Sequence, residues 1–262
     1  MKCIYCGIEI SSYNKTNEHV IPQWIINKLG IKKQQLQFNF LSKNLDKVKI
    51  TKPVPHTLTY KVCSSCNNGW LHDIDNLCKD FLTHFIDDNL SYNDLNEKNI
   101  TYLKIFIYKI YLNFIATSLK NFSEDKTFLH RDFFIKKYFP ENIDLYATDL
   151  LAEEFFCISH LDHWRSQIFS MYQLNKSLSY SNSGSPLRFK FYLQLGKVAF
   201  VLCSTGENNN RILYDYKNLI PISVSKNSQP VLFDFGGLIN PLVPDNMANK
   251  ILYNLIRVEI LI

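Results

Sequence analysis

Cys63-Ser64-Ser65-Cys66-Asn67-Asn68-Gly69-Trp70 decides the fold of the first third of this chain. It holds a Cys-x-x-Cys pair at what reads as the start of a helix, and an earlier pair, Cys3-Ile4-Tyr5-Cys6, lies 56 residues upstream. Two such pairs can set four thiolates tetrahedrally around one zinc ion, each pair forming a tight knuckle. A zinc held by four cysteines has no open position, so it is scaffolding rather than catalyst. It would tie the chain start to the helix start near Cys66, and the gap is long enough to loop out something useful. No apolar export signal precedes Cys3, so the pairs read as metal ligands rather than disulfides. The other three cysteines, Cys78, Cys157 and Cys203, sit in apolar surroundings and read as buried small side chains.

Working outward, Pro22 opens a short helix over 23–29 that Gly30 stops. Residues 35–41 and 47–52 read as strands, 57–62 leads into the second cysteine pair, and a helix runs from about Cys66 towards Phe85. Ile100, Leu103, Ile107, Ile110 and Phe114 recur at helical spacing and predict an amphipathic helix over about 99–119. Phe189, Phe191, Leu193 and Leu195 alternate before Gly196, and Val198, Phe200 and Leu202 alternate after it, which is a hairpin pattern. Strand-like pieces follow at 165–174, 220–224 and 231–235, and 181–186 and 206–210 read as exposed loops.

Between the two cysteine pairs stands Thr16-Asn17-Glu18-His19-Val20-Ile21-Pro22-Gln23-Trp24. In order, Cys3/Cys6, Glu18-His19-Val20-Ile21-Pro22-Gln23-Trp24 and Cys63/Cys66-Asn67-Asn68-Gly69-Trp70 resemble the HNH endonuclease superfamily, in its zinc-binding bacterial branch. The resemblance covers roughly residues 3–75. It implies an α+β protein: an N-terminal ββα-metal (HNH) module over residues 1–80 with a four-cysteine zinc site at Cys3, Cys6, Cys63 and Cys66. A mixed helical and antiparallel-strand C-terminal domain would follow over 81–262, for target choice, dimerisation or partner docking.

The same resemblance implies the chemistry. Hydrolysing a phosphodiester requires an activated water, a neutralised phosphate and a stabilised leaving oxygen, which a hard divalent ion such as Mg2+ or Mn2+ can assist. Glu18 and the Asn67 side-chain carbonyl would ligate that ion, and His19, pointing away from it, would take the proton from water as general base. The products would carry a 5′-phosphate and a 3′-hydroxyl. This chain departs from the family pattern in two places. Glu18 stands where Asp is commoner, and Leu71 stands where some branches place a final His ligand. His56, His72 and Asp75 are the candidates for a third ligand, and Asn39 and Asn44 for the middle Asn of the motif. Trp24 and Trp70 read as core anchors, and His160-x-x-His163 as structural or surface histidines.

Composition agrees with a basic partner-binding segment. Residues 1–75 hold ten lysines against five acids, while the remainder carries nineteen charges of each sign, so the whole excess of +5 lies where the motifs are. Such a surface attracts phosphates irrespective of sequence. The expected substrate is DNA, with RNA as a further candidate, in a cytoplasmic protein of bacterial anti-phage defence that makes no use of a membrane. A homodimer or a partner protein of a defence system would engage the second segment. The alternative reading is a non-catalytic zinc module that binds nucleic acid or protein. It would need the cysteines and lysines but neither Glu18-His19 nor Asn67.

Overall fold

The computed structural model describes residues 1–33, 35–41, 47–53, 59–87, 95–117, 128–140, 143–149, 156–162, 168–169, 188–196, 198–205, 211–214, 220–223 and 258–261, with backbone alone in several strands. Mixed helices and small, mostly antiparallel sheets make this an α+β chain. It forms two compact units, Met1–Asp87 with Ile105–Tyr138, and Asp88–Lys104 with Phe139–Ile262. The sequence reading divides the chain at residue 80, whereas the first unit also takes in 105–138.

The first unit begins with the knuckle. Cys3 N–H donates to the Ile8 carbonyl at 2.8 Å and Gly7 N–H to the Cys3 carbonyl at 2.9 Å. Gly7 has φ +82°, a left-handed turn that a residue without Cβ makes at little cost. Strand β1 (Lys15–His19) then pairs antiparallel with β4 (Thr59–Cys63), in register from Lys15 opposite Cys63 to His19 opposite Thr59. Helix α1 (Gln23–Lys28) starts behind Pro22 and ends before Gly30 at φ +68°, within a residue of the sequence expectation. Strands β2 (Gln35–Leu41) and β3 (Lys47–Pro53) form their own antiparallel pair.

After β4 the chain makes one helical turn, Ser64–Cys66, and a wide turn of π type, Asn67–Leu71. Helix α2 (His72–Ile86) follows. The π turn bulges at Gly69, whose ψ of −120° leaves the helical region. Such bulges recur at functional positions because they re-aim side chains without ending the helix.

Helix α3 (Glu97–Thr117) departs from the amphipathic expectation. Every residue from Phe106 to Asn113 is buried, including Lys109 and Asn113. A helix enclosed on all sides must carry apolar residues around its whole circumference, and any polar one needs a partner. Helix α4 (Phe128–Lys136), absent from the sequence reading, buries Leu129, His130 and Phe133.

In the second unit, β5 (Ile143–Asp149), β6 (Phe156–Asp162), β8 (Arg188–Leu195), β9 (Val198–Thr205) and β11 (Ile220–Ser223) form a sheet in the order β11-β5-β9-β8-β6. The β8–β9 hairpin turns at Gly196, φ +66°, as the alternation predicts. Phe191 to Leu195 are all buried, so the end of β8 is covered on both faces and its apolar run is continuous rather than alternating. Strand β10 (Arg211–Tyr214) pairs antiparallel with β12 (Val258–Leu261), which pairs parallel with the short β7 (Ile168–Phe169). The expectations at 181–186, 206–210, 231–235 and His163, and those on the side chains of Cys157, His160 and Cys203, lie outside the described residues.

Ile110 sits in the enclosed stretch of α3 with no exposed surface. Ile110→Ala is expected to cost about 2–5 kcal/mol of unfolding free energy through the cavity it leaves. A urea titration giving less than about 1 kcal/mol would contradict the enclosure.

Candidate functional site

The four paired cysteines converge. Their Sγ atoms all lie within 4.8 Å of one another, with Cys6 and Cys63 at 3.4 Å. Tetrahedral Zn–S bonds of about 2.3 Å put sulfurs about 3.8 Å apart, so this cluster is of the right size and can hold a metal ion such as zinc. The knuckle supplies Cys3 and Cys6, the end of β4 supplies Cys63 and the turn before α2 supplies Cys66. A hydrogen bond from the Cys66 sulfur pulls Cys3 down to about 4, while that same contact pushes Cys66 up and burial raises Cys63. Cys78 is separate and fully buried in α2, as its apolar surroundings suggest.

β1 sorts the sequence-predicted residues between its two faces. Successive side chains of a strand point oppositely. Glu18 therefore faces inward, 6% exposed, while Asn17 and His19 share the outer face with their cross-strand neighbours Lys61 and Thr59. Lys61 donates to the Asn17 side chain. His19 is half-buried at the end of β1, with Nε2 3.2 Å from the Gln23 amide nitrogen of α1. Asn67, on the π turn, donates from Nδ2 to the Asn17 carbonyl at 3.3 Å, which sets it against the backbone beside Glu18.

Lys109 of α3 organises the inner face. Its ammonium is 3.0 Å from Glu18 Oε1 and 2.7 Å from Asp75 Oδ1, and it donates to the Leu71 carbonyl at 3.2 Å. Asn113, one turn further along α3, donates to Glu18 Oε1 at 3.1 Å and to the His19 carbonyl at 3.4 Å. Its Oδ1 accepts from the Tyr5 and Tyr60 hydroxyls, both at 2.5 Å. All four hydrogen bonds an Asn side chain can make are thereby used. Burial raises both tyrosines well above their ordinary range, so they stay neutral donors.

Burial pushes the Glu18 and Asp75 carboxyls up, opposed by Lys109. Burial also opposes the Lys109 charge, but Asp75 and Glu18 outweigh it and hold the ammonium above its ordinary value. Two carboxylates around one ammonium leave the cluster short of positive charge.

Of the candidate third ligands, Asp75 is brought to Glu18 through Lys109, and His72 is exposed at the start of α2 as an electrostatic neighbour of Asp75. His56 and Asn44 lie outside the described residues, and Asn39 is described by backbone alone in β2. Trp70 is a core anchor, its ring centroid 5.2 Å from Tyr5 and 5.3 Å from Phe133. Sequence reasoning missed Lys109, Asn113, Tyr5 and Tyr60. The signal for the first two was a Lys and an Asn spaced i, i+4 within the otherwise apolar and aromatic run 105–116. No helix among the described residues is long and apolar enough to cross a membrane. Compared with family models, with curated proteins and with solved structures, the chain matches none.

Lys109→Met strands two buried carboxylates and is expected to destabilise the protein by about 3–5 kcal/mol at neutral pH. Both carboxyls are already raised, and losing the ammonium raises them further. The penalty therefore grows as pH climbs above their ordinary values and shrinks as pH falls and they protonate. Melting curves should show the variant recovering towards pH 5, and Glu18→Gln with Asp75→Asn should recover it at pH 7. A pH-independent deficit would sink the ion-pair account. Separately, Cys63→Ser should lower both zinc content and melting temperature, and an unchanged melting curve would remove the cysteine staple.

Proposed function

We propose that the chain is a metal-dependent endonuclease of the HNH (ββα-metal) type that hydrolyses phosphodiester bonds in DNA, with His19 as general base. One observation carries this reading. The antiparallel pair β1–β4 runs directly into a helix, in ββα order, with Glu18-His19 at the end of the first strand and Asn67 hydrogen-bonded to that same strand. The four cysteines gather at the other end of the hairpin, where they would hold a structural zinc.

His19 acts from the outer face. Its imidazole would take a proton from the attacking water. The Gln23 amide beside Nε2 fixes the ring, and the Asn113 bond to the His19 carbonyl fixes its backbone. Lys15 and Lys61 lie on the same face as His19 and would hold the phosphate chain electrostatically.

The hard oxygen donors Glu18 and Asn67 fit a divalent ion such as Mg2+ or Mn2+. Both Lys109 and Asn113 engage Oε1 of Glu18, which leaves Oε2 for a ligand bond, and Asn67 donates through Nδ2, which leaves its carbonyl oxygen. When bound, such an ion neutralises phosphate charge and stabilises the leaving oxygen. A role in anti-phage defence inside the cytoplasm, alone or with a partner protein, follows from the resemblance.

A second reading rests on the Lys109 ion pair. If Glu18 serves only to close that buried pair, the hairpin is a zinc-stapled binding module for nucleic acid or protein. Incubating the protein with supercoiled plasmid, single-stranded DNA and RNA, with magnesium, manganese or chelator, separates the two. The parent should nick or linearise plasmid only with the divalent ion. His19→Ala should lose at least about 100-fold of that rate while keeping its zinc and its melting temperature. Full activity in His19→Ala would remove it as the base, and binding without cleavage by the parent would favour the second reading.

A further inference from the structure

We propose that Lys137, Arg131 and Trp70 form an outer shell around the four-cysteine centre, offsetting the charge of a bound tetrathiolate zinc and slowing its release. The inference rests on the metal reading of the cysteines and is independent of any nuclease activity.

Four thiolates around one Zn2+ leave two negative charges, and sulfurs that carry them are stabilised by nearby N–H donors and cations. Three observations identify what supplies them here. First, the Trp70 indole N–H is buried without a hydrogen-bond partner among the described residues, four residues past Cys66. A buried, unpartnered N–H next to the cysteine pair is what a metal-bound thiolate, richer in electron density than a thiol, would satisfy.

Second, Lys137 holds φ +58°, the one left-handed non-glycine position among the described residues, just past the end of α4. A helix ending in this conformation ordinarily uses glycine. The strained turn brings the Lys137 ammonium over two rings, 3.6 Å from the Trp70 centroid and 3.7 Å from that of Phe134. Its electrostatic partners are the Cys66 and Cys6 sulfurs. Trp70 thus has its face under the cation, while its N–H still lacks a partner.

Third, the Arg131 guanidinium fills the space where a side chain at Gly7 would stand, with both Nη1 and Nη2 overlapping the position of a Cβ there. Gly7 directly follows Cys6 in the knuckle, so the guanidinium lies against the backbone that carries that ligand. Arg131 and Lys137 both belong to the α4 segment and bring two positive charges to the centre's two negative ones. Without this shell α4 would be ordinary core packing, and a left-handed lysine there would have no purpose.

The test is zinc release from the full-length zinc-loaded protein to a chromogenic chelator, followed at pH 7 and low salt. Lys137→Gln and Trp70→Phe are expected to release zinc roughly 10- to 100-fold faster than the parent, and Lys137→Arg to stay close to it. Lys137→Gly separates charge from folding. It relieves the left-handed strain, so its melting temperature with zinc should match or exceed the parent's while its release is still faster. Release at the parent rate in Lys137→Gln and Lys137→Gly, or a purified parent without stoichiometric zinc, would overturn the proposal.

Discussion

Four sulfurs drawn within 4.8 Å of one another set the geometry on which the first unit depends. They come from three places: the chain start, the end of β4 and the turn before α2. Once Cys63 and Cys66 are held, the start of α2 is placed, because only the short π turn with its bulge at Gly69 stands between Cys66 and the helix. The same constraint brings the knuckle's Tyr5 under Asn113, so the cysteine cluster and the inner face of β1 share a hydrogen-bonded wall. Ligand-bond energy is far larger than a surface contact, and in small zinc modules it is folding energy. The rest of the unit has only to pack around that frame.

A second constraint acts inside that frame. Lys109 is the sole described cation of α3's enclosed stretch, and it joins β1, α2 and the π turn by contacts to Glu18, Asp75 and the Leu71 carbonyl. A buried ion pair of this kind does not by itself make a protein more stable than apolar packing would. Its value lies in specificity, since only one docking of α3 satisfies an ammonium, an amide and two carboxylates at once. This explains why polar groups were tolerated in the enclosed stretch Phe106–Asn113 of that helix. It also gives Glu18 a structural duty alongside any metal ligation.

Local signals made much of this legible. Pro22 and Gly30 bracket α1, Gly196 marks the β8–β9 turn, and two Cys-x-x-Cys pairs announce their own convergence. These signals work because each depends on a residue's own backbone or ligand preference. The enclosure of α3 was not legible, since helical periodicity reports a preferred face and cannot report that other elements cover the remaining ones. For the same reason the partners of Glu18 were missed: Lys109 and Asn113 lie about ninety residues away, and only tertiary packing brings them in. The α4 segment was missed because its apolar residues fall in two clumps, Phe128-Leu129 and Phe133-Phe134-Ile135, rather than in a sustained helical repeat.

The strand β1 gathers these constraints into one device. Four residue steps of about 3.3 Å each separate Lys15, opposite Cys63, from His19 by about 13 Å, short enough for a paired strand to transmit position without a hinge. Its inner face is locked through Glu18, and its carbonyls at Asn17 and His19 are held by Asn67 and Asn113. Its outer face therefore presents His19, Asn17 and the neighbouring lysines on a backbone that is fixed from behind. A proton-transfer residue gains from such fixing, because alignment with its water is set before substrate arrives rather than bought during the reaction. A surface that only bound nucleic acid would gain far less from it, as electrostatic attraction to a phosphate chain tolerates loose geometry. The hydrogen bonds behind His19 are thus what the proposed proton transfer would draw on.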